Sequence, residues 1–347
     1  VRGSSVRLLR GAVCLLFFYG SLAAAVAQED PVQATREGLV LIPQGNSARL
    51  ELPGGGTLSL SLPERAEVSS LAATDGGWAV AGSFPDAAGR QRLFLLKGND
   101  KVFQALPEPS GQIGEQRRGP VLLVDGGRLA GLAWLEGDGL RSLAVRAAAW
   151  NGKKWQAPQV VSHPGPGSQL ALTGAVLADG TWLLAWSAFD GTADEIVWSE
   201  RVGASWLPVS RLSAPNKVPD ITPALTATTG GALIAWSRFD GHGYQMRMAR
   251  FEHGAWSDEH VAGPSGSLYP AFLGASDRPR LLYLEAAARS WSVLDMDAEG
   301  KVLAKASLSS PSRSLSRPVV DSMPAGSVRL RWPAEKQQGT ATLERVP

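Results

Sequence analysis

Short apolar runs bounded by turn residues make up most of the chain beyond residue 38, and none of it carries a convincing helical period. Runs such as Leu183-Leu184-Ala185-Trp186 and Leu233-Ile234-Ala235-Trp236 are apolar at every position instead of alternating. A strand of that kind has both faces covered, as when a sheet is held between two neighbouring sheets. In one unit, Asp179-Gly180, Asp190-Gly191 and Gly203 separate strands near 170–177, 181–187, 195–200 and 206–212. Runs rich in Val, Leu, Trp and Ala between such turns read as antiparallel strands joined by hairpins.

The units repeat. Trp186 to Trp236, Asp190 to Asp240 and Trp206 to Trp256 are each 50 residues apart, while Trp134 to Trp186 is 52 and Trp155 to Trp206 is 51. Four short strands recurring every forty to fifty residues are the signature of a β-propeller. The expected fold is therefore all-β, with four-stranded antiparallel blades at roughly 68–106, 117–162, 170–213, 222–262 and 268–307. Closure is expected from a sixth blade, in which residues 317–347 receive one N-terminal strand from within 38–62. Seven blades is the alternative. The matched tryptophans are expected to fill the gaps between blades.

The N-terminus changes the picture. Arg2, Arg7 and Arg10 precede an apolar run of about fifteen residues ending in Ala25-Val26-Ala27, a small-x-small cleavage signature. That run is shorter than the roughly twenty residues a spanning helix needs. Residues 1–27 are thus expected to be a cleavable export signal, and residues 28–347 a single domain in the periplasm or outside the cell. Without the three leader arginines, 31 basic residues face 32 acidic, a net charge near −1. Such a chain has no electrostatic footprint for nucleic acid. Cys14, the sole cysteine, leaves with the leader, so neither a disulfide nor a thiolate metal site is expected.

Within the unit at 170–213, the segment Ser199-Glu200-Arg201-Val202-Gly203-Ala204-Ser205-Trp206 resembles the Asp-box (BNR) turn, Ser-x-Asp-x-Gly-x-x-Trp, with Arg201 where the aspartate stands. The resemblance implies a sialidase-like six-bladed scaffold in which this turn is structural. Sialidase chemistry would further imply an arginine triad, a tyrosine nucleophile and an aspartate acid/base, a departure from the usual two-carboxylate scheme. Beyond the leader only Tyr244, Tyr269 and Tyr283 are available, and no arginine triad stands out, although Arg118, Arg238 and Arg317 fall near blade tops.

Candidate site residues come from loops on the channel face. Asp190 and Asp240 stand in repeated Phe-Asp-Gly turns, Asp138 in a related turn, and Asp220 just before an innermost strand. Arg238, His242 and Tyr244 surround the turn at Asp240, with His163 and Tyr269 in inter-blade loops. Carboxylates and aromatics meeting there would orient a sugar or another small ligand. Asp-Gly is equally what a tight hairpin turn requires. The histidines His163, His242, His253 and His260 lack metal-ligand spacing, and no cofactor is expected. Trp150, Trp182, Trp198 and Trp291 lie outside the repeat register and are the candidates for a sugar-stacking surface. The expected function is a non-catalytic platform for a glycan, peptide or protein partner. A sialidase-like hydrolase or lyase and a structural subunit of an envelope assembly are the alternatives.

Overall fold

The runs that are apolar throughout become second strands sealed between neighbouring sheets: Trp182–Phe189 and Gly231–Phe239 are buried over most of their length. In the computed structural model, residues 30–346 are described apart from 35–37, 112–113, 141, 312–314 and 324–325. The leader at 1–27 lies outside the described residues. Among those described, the strands form seven antiparallel sheets, and the protein is a seven-bladed β-propeller.

Blade 1 holds Val32–Gln33, Val40–Gln44, Ser47–Glu51 and Thr57–Ser61. Blade 2 starts with Glu67–Thr74, blade 3 with Gln116–Asp125, blade 4 with Gln169–Val176, blade 5 with Asp220–Thr228 and blade 6 with Ser267–Ala275. Each of these is an innermost strand lining a central channel, and the chain then steps outward by hairpins. Blade 7 is three-stranded, with Val319–Met323, Ser327–Trp332 and Gln337–Thr342. The last strand, Glu344–Arg345, pairs instead with the outer strand of blade 6.

The expectation of six blades is corrected to seven. The N-terminal strands do not lend one member to the last blade; they pair with one another. The reason is local. Gln44-Gly45-Asn46-Ser47 makes a two-residue turn with Gly45 at φ 66°, which sets Val40–Gln44 directly against Ser47–Glu51. Closing that short loop costs far less chain entropy than reaching across the whole domain.

The repeat register is a packing register. Trp134 and Trp155 sit in the core between blades 2 and 3, Trp186 and Trp206 between blades 3 and 4, and Trp236 and Trp256 between blades 4 and 5. Tyr283 takes the corresponding place between blades 5 and 6. Small side chains also stitch neighbours together. Ser70 Oγ accepts from the Leu122 amide at 3.1 Å, and Thr173 Oγ1, two blades on, accepts from the Leu225 amide at 3.2 Å. The closing gap, between blades 7 and 1, is filled by a much smaller core: Val40, Ile42 and Val319 among the described residues.

Candidate functional site

The innermost strands enclose a channel of about 790 Å³. Their entry ends share an irregularity. Gly119, Ala171, Thr222 and Tyr269 all take positive φ, between 52° and 57°, where the ladder to the second strand slips register. The left-handed region is costly for a residue with a Cβ, most of all for β-branched Thr222. Each bulge re-aims its residue, and Thr222 and Tyr269 line the channel together with Arg317 and Asp30.

Arg317 is the cation of this mouth. Its backbone amide donates to Asp30 Oδ1 at 3.1 Å, while its guanidinium makes no hydrogen bond to a described residue. Enclosure by the channel wall pushes its pKa down, partly offset by the charge of Asp30. Beside it Tyr269 is half-buried, and burial raises its pKa. Burial, with Tyr269 nearby, pushes the Tyr244 phenol up to about 12, so both hydroxyls are neutral donors at physiological pH.

The residues singled out from the sequence have diverse fates. Asp220 and Arg238 are brought together, but as a sealed cluster. Arg238 Nε donates to Asp220 Oδ1 at 2.7 Å, Trp236 Nε1 donates to the same oxygen at 2.7 Å, and Glu259 grips the other side of the guanidinium. Burial opposes the charge on Arg238, and its hydrogen bonds to the two carboxylates outweigh that, holding its pKa above the ordinary value. Asp190 Oδ1 accepts from the amides of Thr192 and Ala193, and Asp240 Oδ1 from those of His242 and Gly243. These backbone hydrogen bonds lower both pKa values and fix the turns. Asp138 and His242 are exposed on their loops. Tyr244 packs against Phe239, with ring centroids 5.4 Å apart, and borders the core between blades 6 and 7.

Among the described residues no group of three or more His, Cys, Asp or Glu is arranged to hold a metal ion. None of the twelve tryptophans is exposed; Trp182 and Trp291 are buried, and Trp150 and Trp198 pack on other aromatics. In the turn that resembles an Asp-box, Ser199 Oγ donates to Leu207 O at 2.7 Å, and Arg201 lies over the Trp182 ring at 4.5 Å. There the guanidinium serves as packing. No helix among the described residues is long and apolar enough to cross a membrane.

Solved structures share the fold. The polysaccharide lyase Uly1 superposes with a TM-score of 0.58 at 10% identity, over 93% of this chain and 91% of that one. A protein of unknown function from Dyadobacter fermentans gives 0.54 at 15% identity, over 82% and 96%. The six-bladed fucose-recognising lectin of Aleuria aurantia gives 0.53 at 14% identity, again over 82% and 96%. At these identities the likeness is one of fold. No family model matches the chain. No curated protein matches it either.

Sequence reasoning weighed Arg317 only as part of an arginine triad and passed over Thr222. A signal for both was present: Gly119-Pro120, Thr222-Pro223, Tyr269-Pro270 and Arg317-Pro318 recur near the repeat spacing. A proline near the start of the innermost strand in blades 3, 5, 6 and 7, though not in blade 4, marks the irregular rim of the channel.

Proposed function

We propose that this protein is an exported, non-catalytic propeller that binds a glycan partner through an anionic group held at the channel mouth. One observation carries the reading: the Arg317 guanidinium lines an enclosed channel without a hydrogen bond to a described residue. A carboxylate arriving there would form a charge-assisted, bidentate pair and relieve the cost of an enclosed cation. Tyr269, which lines the same channel, supplies an aromatic face and a neutral hydroxyl suited to a sugar ring. Among the structural neighbours, one is a fucose-recognising lectin and another a polysaccharide lyase, which agrees with carbohydrate as the partner class. Export rests on the leader signature at residues 1–27. Kinship with sialidase-like propellers rests on Ser199, Gly203 and Trp206 alone, and the seventh blade departs from that scaffold.

The test is a glycan array carrying uronate- and sialate-terminated oligosaccharides alongside their neutral counterparts. Retention of acidic glycans, lost in Arg317→Gln with an unchanged melting temperature, supports the reading. Retention that ignores the carboxylate, or survives Arg317→Gln, overturns the site. Turnover of fluorogenic glycosides or sialosides by the purified protein would overturn the non-catalytic assignment.

A further inference from the structure

Blade 4 breaks the charge pattern of its neighbours at one spot, and a cavity lies there. Strand register makes Arg117, Gln169 and Asp220 equivalent positions of blades 3, 4 and 5, and likewise Glu136, Ala188 and Arg238. On the third strand Arg146, Val197 and Arg247 correspond. Blades 3 and 5 therefore carry three charged side chains where blade 4 carries Gln, Ala and Val. A fourth exchange accompanies these: counting from Trp206 and Trp256, Val209 takes the place of Glu259, the carboxylate that grips Arg238.

The tryptophan next to these positions is unchanged across the three blades, but its hydrogen bond is not. Trp134 Nε1 donates to Glu136 Oε2 at 2.8 Å, and Trp236 Nε1 to Asp220 Oδ1 at 2.7 Å. Trp186 Nε1 is fully buried and has no partner among the described residues. Gln169, the residue closest in position to an acceptor, is committed elsewhere: its Oε1 accepts from Ser162 Oγ and its Nε2 donates to His163 O. A cavity of about 540 Å³ opens between blades 3 and 4, lined by Trp186, Ala188, Val197, Gln169 and Val209 among others. Trp206 lines it too, and its indole N–H is also without a partner among the described residues. At the lip, Val160, Leu207 and Val209 are 41–42% exposed.

We propose that this cavity is a binding site for a neutral molecule with an aliphatic body and a carbonyl oxygen, the chemistry of an N-acyl group, the oxygen accepting from the Trp186 indole. Three positions charged in both flanking blades are neutral here, and Val209 stands where blade 5 has Glu259. The one ionisable lining residue, His163, is exposed, so an ionic ligand would enter without a buried counter-charge and meet most of its desolvation cost. An aliphatic body gains by covering Val197, Leu207, Pro208 and Val209. The carbonyl replaces the acceptor that Glu136 and Asp220 provide in the flanking blades, removing a buried donor's desolvation penalty. The site lies between blades and not in the channel, so it stands or falls independently of Arg317.

The experiment titrates protein labelled with ¹⁵N at its indoles with N-hexylacetamide, and in parallel with hexanoate and hexylammonium. The Trp186 resonance is identified by its loss in Trp186→Phe. A saturable downfield shift of that resonance is expected with the amide, with the two ions at least tenfold weaker. Ala188→Gln, which puts a neutral acceptor beside the indole and fills the space, should weaken amide binding at least tenfold. Val209→Glu, at the exposed lip, should do the same without threatening the fold. Absence of a saturable shift, equal affinity for either ion, or unchanged binding in both variants would overturn the proposal.

Discussion

The side-chain amide of Gln33 grips the backbone of Val320 from both sides: its Nε2 donates to Val320 O at 2.7 Å, and its Oε1 accepts from Val320 N at 3.0 Å. Gln33 belongs to the innermost strand of blade 1 and Val320 to that of blade 7, 287 residues away. A side chain thus takes the part of a strand neighbour where the ring closes. Arg331 reinforces the seam by reaching Glu51 Oε2 at 2.8 Å while also pairing with Asp321.

Gln33→Ala should therefore loosen the ring. Two hydrogen bonds are lost and the amide and carbonyl of buried Val320 lose those partners, for an expected destabilisation of about 1–3 kcal/mol. Urea unfolding followed by tryptophan fluorescence measures it. Gln104→Ala, on an exposed outer strand, is the control that should leave the midpoint unmoved.

The same seam should open first. With Val40, Ile42 and Val319 as its core, the gap between blades 7 and 1 buries little apolar surface, and local stability follows such burial. Amide exchange in Val319–Met323 is expected to run at least tenfold faster than in Gly231–Phe239, which is sealed on both faces. Equal protection of the two strands, read by mass spectrometry, would contradict this.

Arg238→Met should be severe. It leaves Asp220, fully buried, and Glu259 as neighbouring carboxylates without their shared cation. Breaking a buried pair from one side typically costs about 3–5 kcal/mol. Asp240→Asn, by contrast, keeps the Oδ1 that accepts from His242 and Gly243, and its melting temperature should match the wild type. Comparable losses in the two variants would show that the Asp220–Arg238–Glu259 cluster is not structural.

Stability should fall as pH rises from about 5 to about 7. Burial pushes the Glu195 carboxyl up to about 7, against a hydrogen bond from Ser213 and the charge of Arg211. The folded protein then binds a proton that the unfolded chain, with its ordinary carboxyl near 4.5, has already lost. In that window the native state is progressively disfavoured, a contribution of about 1–2 kcal/mol. Glu195→Gln lacks this titration, so the wild-type-minus-mutant difference in melting temperature should fall as pH rises from 5 to 7. A difference that stays constant across the window would show that Glu195 titrates normally.

Much of this was legible in the residues. The spacing of Trp134, Trp186 and Trp236 marked equivalent places, and they do occupy successive inter-blade cores. That inference needs only local patterning, because a strand covered on both faces must be apolar on both. Asp190 and Asp240 illustrate the opposite case. The sequence allowed either a turn residue or a ligand-facing carboxylate, and their partners are the amides two and three residues on.

Strand boundaries, blade spacing and the tryptophan register are set by short-range alternation and turn chemistry, and the chain alone determined them. The number of blades, the joining of Gln33 to Val320, and the replacement of a charged cluster by a cavity beside Trp186 were decided only in three dimensions. Each depends on which distant segments meet as the ring closes. That choice balances loop-closure entropy against burial, and no window of sequence contains it.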